Sequence, residues 1–216
     1  MPFDLKPERD LGEDLNVGLI HAPLTALGPG VRVGIWLTGC SRGCPGCLSP
    51  DFFKPQKKER QNPLKVAATV LATAKDLNLT ALTISGGEPF SQPKALKEFL
   101  TSVRANGLDD VLVYSGYLVE ELLVKWPWLP KLTTAIVDGP YLQNEPSTEI
   151  FRGSKNQKLT VFDPAFAGPY AAWAKEKKHK AQFLVGQGQI RILGIPKPGD
   201  YEKAYAAAAK TLKKSP

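Results

Sequence analysis

Cysteine and histidine are scarce in this 216-residue chain, with three of the first and two of the second. An odd, closely spaced set of three thiols makes no disulfide framework. A structural zinc site normally closes with four ligands, and His21 and His179 stand in contexts unrelated to the cysteines. Nor does the sequence have an apolar N-terminal stretch. Its charged start, Met1 to Asp10, reads as no signal peptide. No uncharged apolar run is long enough to cross a bilayer, and no internal repeat is present. Free thiols without a leader lead us to expect a cytoplasmic protein, off the membrane.

Acidic residues are outnumbered, 21 against 28 Lys and Arg, for a net charge of +7. Much of the excess sits in Lys175–Lys180 and Lys210–Lys214, as solvated helix faces and a tail. Nucleic-acid binding would want that charge on one face among stacking aromatics. The balance argues against a nucleic-acid partner, and an acidic electron donor or acidic partner enzyme suits it better.

All three cysteines fall in one run, Cys40-Ser-Arg-Gly-Cys44-Pro-Gly-Cys47, directly after the apolar segment Val31–Leu37. Gly39, Gly43, Pro45 and Gly46 lie between or beside them. Such small residues bend a loop tightly and let its amide N–H groups face the sulfurs, as in anion-binding nests. Three thiolates so placed suit a [4Fe–4S] cluster with one iron left open for a ligand that is not protein. Zinc and incidental thiols stay open as readings of the residues alone.

The rest of the chain predicts an α/β fold. Leu15–Ile20 reads as a short strand and Val31–Leu37 as a buried one. Asn62 caps a helix with Pro63 at its first position and Leu64, Ala67, Ala68, Leu71, Ala74 and Leu77 along one face. Thr80–Ser85 is a strand running into Gly86-Gly87-Glu88-Pro89. Ser91 is expected to cap a second helix through Leu96, Phe99, Leu100 and Val103, closed by Gly107. Val111–Tyr114, helix Leu118–Lys125 and strand Thr133–Val137 continue the alternation, which argues for parallel strands with crossover helices. Beyond them come strand Lys158–Phe162, a short helix around Trp173, a β-hairpin of Ala181–Val185 and Gln189–Leu193, and a helix Tyr201–Lys213 capped by Asp200. Parallel sheets bind ligands at the carboxyl ends of their strands. The cysteine loop, Gly86–Pro89, Ser115–Tyr117 and Asp138–Pro140 all follow such ends, so the active site is expected there.

The window Gly28-Pro-Gly30, Ile35-Trp-Leu-Thr-Gly-Cys40 and Cys44-Pro-Gly-Cys47 resembles the radical S-adenosylmethionine (SAM) superfamily. Within it, the likeness is strongest to the activating enzymes of anaerobic ribonucleotide reductase. The resemblance spans residues 15–162. It implies a partial (β/α) barrel-like parallel sheet of the radical SAM type as the core, after a flexible lead-in (1–14). A C-terminal extension (163–216) of β-hairpin and helix would pack on that core. It also implies that Cys40, Cys44 and Cys47 hold the [4Fe–4S] cluster and that SAM is the second cofactor.

Further motifs acquire roles through this resemblance. Gly86, Gly87, Glu88 and Pro89 by themselves make a strand-to-helix turn. In the family, the matching backbone receives the SAM methionine amino group, and Glu88 adds negative charge near it. Ser115, in Tyr114-Ser-Gly-Tyr117, and Asp138, in Asp138-Gly-Pro-Tyr141, match segments on the SAM side. Phe151-Arg-Gly-Ser-Lys-Asn-Gln157 resembles the Arg-Gly-Ser-Ser-Asn-Gln motif of the activases, with Lys155 in place of the second serine. Arg152 could grip a carboxylate bidentately, while Asn156 and Gln157 suit adenine or ribose. Leu48-Ser49 departs from the aromatic and asparagine common at that place in the activases. Trp126, Trp128, His21 and His179 are read as packing or incidental.

The implied reaction is reductive. A flavodoxin- or ferredoxin-like donor reduces the cluster, SAM is cleaved to a 5′-deoxyadenosyl radical, and a hydrogen is taken from glycine in a glycyl-radical partner enzyme. No side-chain acid or base is needed, so no catalytic residue is assigned. Radical SAM chemistry on a small molecule, peptide or RNA, a non-catalytic iron–sulfur electron carrier, and a zinc-binding structural domain are the alternatives.

Overall fold

A computed structural model describes residues 12–186 and 189–197, together with 199, 200 and 203. The expected lead-in and the helix over 201–213 fall almost wholly outside the described residues. The first strand, β1 (Leu15–Leu24), is longer than expected and turns back onto β2 (Arg32–Leu37) as an antiparallel pair. After the cysteine loop come β3 (Arg60–Gln61) and helix α1 (Pro63–Asp76). The alternation then runs β4 (Ala81–Gly86), α2 (Pro93–Ala105), β5 (Asp110–Tyr114), α3 (Val119–Lys125), α4 (Leu129–Leu132) and β6 (Ala135–Asp138). Strand β7 (Lys158–Val161), helix α5 (Ala167–Ala174) and the strands β8 (Ala181–Gly186) and β9 (Gln189–Gly194) complete the order.

Seven strands form one sheet in the order β3-β1-β2-β4-β5-β6-β7, and β8-β9 is a separate hairpin. The middle four, β2, β4, β5 and β6, are parallel, as their alternation with helices dictates. Both flanks are antiparallel, and β7 at the far edge runs against β6. Among the described residues no pairing joins β3 to β7, so the sheet is open and mixed; barrel-like closure stays an implication of the resemblance.

The apolar runs are unbroken because both sheet faces are covered. One face carries Val33, Ile35, Leu37, Leu82, Ile84, Val111, Val113 and Ile136 against α1, α2 and α3. The other face has two smaller clusters. Trp36 and Leu24 meet Leu193 and Ile195 of the C-terminal hairpin region. Leu112, Ala135 and Val137 meet Phe151 and the Tyr170 and Trp173 rings of α5. Between those two clusters the second face is left open toward the carboxyl ends of the strands.

Helix starts follow sequence chemistry in one case and not in another. Asn62 Oδ1 accepts from the N–H groups of Leu64 and Lys65 at 3.0 and 3.3 Å, capping α1 as its side chain should. Ser91 is not the cap of α2. It closes a single 3₁₀ turn over Pro89–Ser91, and α2 starts at Pro93 with Gln92 before it. Gln92 is pulled away from capping because its Oε1 accepts from Asn16 N at 2.7 Å and Asn16 Nδ2 at 3.0 Å, tying the helix start to β1.

Candidate functional site

The chain leaves β2 at Leu37 and immediately docks against two neighbours. Gly39 N–H donates to Phe52 O at 2.9 Å and Cys40 N–H to Phe53 O at 3.0 Å, so the cysteine loop closes on itself across Pro50–Phe53. On its other side lies the turn after β4. Gly87 N–H donates to Leu37 O at 2.7 Å and Glu88 N–H to Gly39 O at 2.9 Å. That approach explains the glycines. Gly86 has φ +106°, and a Cβ there would overlap the Leu37 carbonyl. A Cβ on Gly87 would lie 2.5 Å from Gly39 O. Both are bare so that backbone can meet backbone.

Glu88 is buried and its carboxylate is fully engaged by the chain. Oε1 accepts from Phe90 N–H at 3.1 Å and Ser115 Oγ at 2.9 Å, and Oε2 accepts from Gly116 N–H at 2.7 Å. The turn after β4 is thereby bolted to the turn after β5. Ser115 Oγ in turn accepts from Tyr117 N–H at 3.1 Å. Burial pushes the Glu88 carboxyl up to about 7, against the pull of those three donors and of nearby Arg42. Beneath these turns, Phe90 stacks on Trp126 at 4.8 Å and Trp128 at 6.2 Å. The two tryptophans are packing, as expected.

The third turn, after β6, joins the second: Gly139 N–H donates to Tyr117 O at 2.8 Å. Asp138 Oδ2 accepts from Val119 N–H at 2.9 Å at the start of α3, while its Oδ1 is buried with no hydrogen-bond partner. Asn156 Nδ2 donates to Pro140 O at 2.7 Å, and its Oδ1 is likewise buried and unpartnered. Two acceptors are thus left over beside Gly139.

The four turns surround one cleft, whose empty volume is about 890 Å³ with its open mouth included. Cys40, Cys44, Cys47, Gly86, Gly87, Glu88 and Ser115 line it. Pro89, Asp138, Arg152 and Asn156 do not; they stand behind the lining. Arg152 Nη1 donates to Lys155 O at 2.6 Å and Gln157 O at 2.7 Å, and its Nη2 pairs with Glu149. It holds the 152–157 turn, whose Gln157 reaches the cleft and donates to Gly139 O at 3.0 Å.

The three thiols are free and partly buried. Ser49 N–H donates to Cys47 Sγ at 3.4 Å, and Gly43 and Arg42 amides face Cys40. Burial pushes the Cys40 thiol up to about 11 and raises Cys47 as well, so these two thiols, when bare, would hold their protons and a metal would have to displace them. Among the described residues no three His, Cys, Asp or Glu side chains are grouped as ligands of one metal ion. A cluster does not require that grouping, since each thiolate binds a different iron. Three half-buried thiols on one cleft wall, met by backbone N–H groups, fit a [4Fe–4S] group.

Several lining residues carry no role in the sequence motifs, although Arg42, Tyr141 and Gly153 fall inside them. Arg42 lies over the Tyr117 ring, 4.4 Å from its centroid. Tyr141 and Gly153 come from the 139–157 loop, Leu27 from the turn before β2, and Ile192, Gly194 and Ile195 from the C-terminal hairpin. The hairpin could not have been placed by pattern, because its contacts reach back some 160 positions. His21 and His179 are outside the lining. No helix among the described residues is long and apolar enough to cross a membrane.

Comparison with known proteins finds relatives over the same part of the chain. Residues 26–160 match the family model described as a 4Fe–4S single cluster domain. The anaerobic ribonucleoside-triphosphate reductase-activating protein of enterobacteria phage T4 is 29% identical over 137 residues, 61% of this chain and 85% of that protein. Its counterpart in Escherichia coli K12 is 29% identical over 146 residues, 60% of this chain and 88% of its own. The pyruvate formate-lyase-activating enzyme of Listeria monocytogenes is 31% identical over 94 residues, 43% of this chain and 38% of that enzyme.

Proposed function

The chain belongs to the 4Fe–4S single cluster domain family, as a radical SAM enzyme of the activating type, and from this we propose that it installs a glycyl radical on a partner enzyme of the anaerobic ribonucleotide reductase kind. One observation supports this most directly. The turn Gly86–Glu88 is hydrogen-bonded to the exit of β2, so the glycine-rich backbone and the cysteine loop share one cleft. A ligand bound to the open iron and a ligand held by that backbone would then be the same molecule.

In this reading Cys40, Cys44 and Cys47 hold the cluster, and bare backbone at Gly86 and Gly87 receives the SAM ammonium. When bound, the cluster supplies the electron that breaks the C5′–S bond of SAM and frees the 5′-deoxyadenosyl radical. The chain's own work is positional. Glu88, held by Phe90, Ser115 and Gly116, keeps two turns in register and sets negative charge close to the ammonium. Asp138 and Asn156 contribute from behind the lining, with one unpartnered oxygen each beside Gly139. Arg152 acts by holding the turn that presents Gln157. Pro89 starts the 3₁₀ turn that buries Phe90. A flavodoxin- or ferredoxin-like donor is the partner assigned to the electron, and the chain's net positive charge would favour its approach.

The test is anaerobic. Protein reconstituted with iron and sulfide is expected to give a reduced-cluster electron paramagnetic resonance (EPR) signal that changes on adding SAM, and to form 5′-deoxyadenosine with a chemical reductant. Cys44→Ala should abolish both. A cluster that assembles and ignores SAM would leave electron transfer as the better account, and retained SAM cleavage in Cys44→Ala would defeat the ligand assignment.

A further inference from the structure

One charged residue of the cleft, Arg42, has no part in the roles assigned above. Among the described residues that line the cleft, one basic and one acidic side chain occur, Arg42 and Glu88. Arg42 stands midway between Cys40 and Cys44, two steps along the chain from each. Two residues span at most about 7 Å, which bounds the distance of its Cα from theirs.

The arginine side chain is held in place. Its guanidinium lies over the Tyr117 ring, 4.4 Å from the centroid, and Tyr117 is itself buried with Trp126 edge-on at 6.1 Å. Gly116 makes room for the stem, since a Cβ there would lie 3.3 Å from Arg42 Cγ and 3.4 Å from Nε. Among the described residues Arg42 enters no ion pair. The Glu88 oxygens are given to Phe90, Ser115 and Gly116 instead. Burial raises the Glu88 carboxyl and Arg42 is the one cation that draws it back down, so the charge is felt within the cleft. An arginine stays protonated at any working pH. The cysteine loop thus carries a permanent positive charge, stacked in place on the cleft side. Iron–sulfur potentials respond to the net charge around the cluster. Taking up one electron adds negative charge beside the cysteines with no proton to offset it. A cation fixed in a half-buried site stabilises that charge more than one free in water.

We propose that Arg42 is the potential-setting residue of the site, a cation that the Tyr117 ring holds beside the cysteine loop to make the cluster easier to reduce. The proposal rests on the cluster assignment within the activase reading above, and not on the identity of the partner.

Potentiometric titration of the reconstituted full chain without SAM, read by EPR of the reduced cluster, tests it. Arg42→Gln should make the cluster about tenfold harder to reduce at a fixed potential, a fall of ~59 mV in the midpoint for one electron, with iron content unchanged. Arg42→Lys, which keeps the charge but not the planar stack, should fall by less. Lys97→Gln removes the same charge from an exposed position on α2 and should leave the midpoint where it was. Should Arg42→Gln not retain iron, Arg42→Met, which keeps the stem against Gly116, takes its place with the same expected shift. A change under twofold overturns the assignment, and if SAM binding weakens at the same time, Arg42 is a SAM ligand instead. Equal falls for Arg42→Gln and Arg42→Lys, or for Arg42→Gln and Lys97→Gln, overturn it too. So does loss of iron in both neutral variants, which would make Arg42 a latch for the loop. Wild-type protein that holds its cluster but ignores SAM defeats the activase reading and leaves Arg42 to be judged by the midpoint alone. Wild-type protein that assembles no cluster defeats both.

Discussion

Arg32 at the start of β2 reaches past β4 to Asp110 at the start of β5, and the two form a buried ion pair. Arg32 is fully buried and its guanidinium is satisfied by Thr83 Oγ1 at 2.8 Å and Leu82 O at 2.8 Å as well. Tyr170 of α5 donates to the second carboxylate oxygen of Asp110 at 2.7 Å. This lock sits at the amino ends of the parallel strands, opposite the cleft. It joins three strands and the helix that follows the family-matched segment, and it leaves the carboxyl ends free for chemistry.

Removing one member should therefore cost heavily. A buried charge stripped of its partner costs about 3–5 kcal/mol, so Asp110→Ala should lower the unfolding free energy of the metal-free chain by that amount in urea. Tyr170→Phe, which deletes one hydrogen bond to a charged group, should cost about 1.5–3 kcal/mol. A loss below about 1 kcal/mol for Asp110→Ala would mean that water replaces the pair.

Glu88 gives a pH signature of opposite sign to the usual carboxylate. Its folded carboxyl titrates at about 7, above the ordinary value of 4.5. The folded chain therefore holds a proton that the unfolded chain has released between those values, and stability falls as pH rises through that window. Glu88→Gln cannot titrate. The wild-type stability minus that of the variant should shrink from pH 5 to pH 8, by an amount on the order of 3 kcal/mol. A flat difference in urea midpoints would show that the three donors hold the carboxylate ionised throughout.

What the sequence disclosed was whatever is local or periodic. The Asn62 cap, the four central strands and the turns at their carboxyl ends all follow from short patterns, and each of those turns supplies lining residues, though after β6 it is Gly139 and not Asp138. The Arg32–Asp110–Tyr170 lock was invisible because its members are 78 and 60 positions apart, and a lone arginine or aspartate reads as surface. Ser91 misled for a related reason: the local rule favours serine as a cap, but Gln92 is claimed by Asn16 and the helix starts one residue later. The hairpin's place on the cleft is a tertiary fact with no local signature.

Two glycines with positive φ should respond differently to alanine. At Gly86 the φ of +106° is joined by overlap with the Leu37 backbone, which cannot yield without parting the turn from β2. Gly86→Ala should cost at least about 2 kcal/mol and lower the iron retained after reconstitution. Gly43, at φ +56°, has nothing within 4 Å of a Cβ. Gly43→Ala should cost only about 1–2 kcal/mol and keep its iron. Equal iron loss in both would mean that the cysteine loop needs glycine flexibility rather than the contact at Gly86.

Arg152 separates a scaffold from a direct ligand. Its guanidinium already spends Nη1 on Lys155 O and Gln157 O and pairs Nη2 with Glu149. Gln157 Oε1 in turn accepts from Gly153 N–H at 2.9 Å, so the turn is closed from both ends. Arg152→Ala should loosen the turn and weaken SAM binding about tenfold, which corresponds to ~1.4 kcal/mol, without changing the iron content; EPR titration with SAM reads both. Gln157→Ala should then produce a comparable loss, because the arginine acts through the residue it positions. If Arg152→Ala weakens binding a hundredfold or more while Gln157→Ala leaves it unchanged, the arginine turns out of its loop to hold SAM itself, and the carboxylate grip implied by the family motif is its main task.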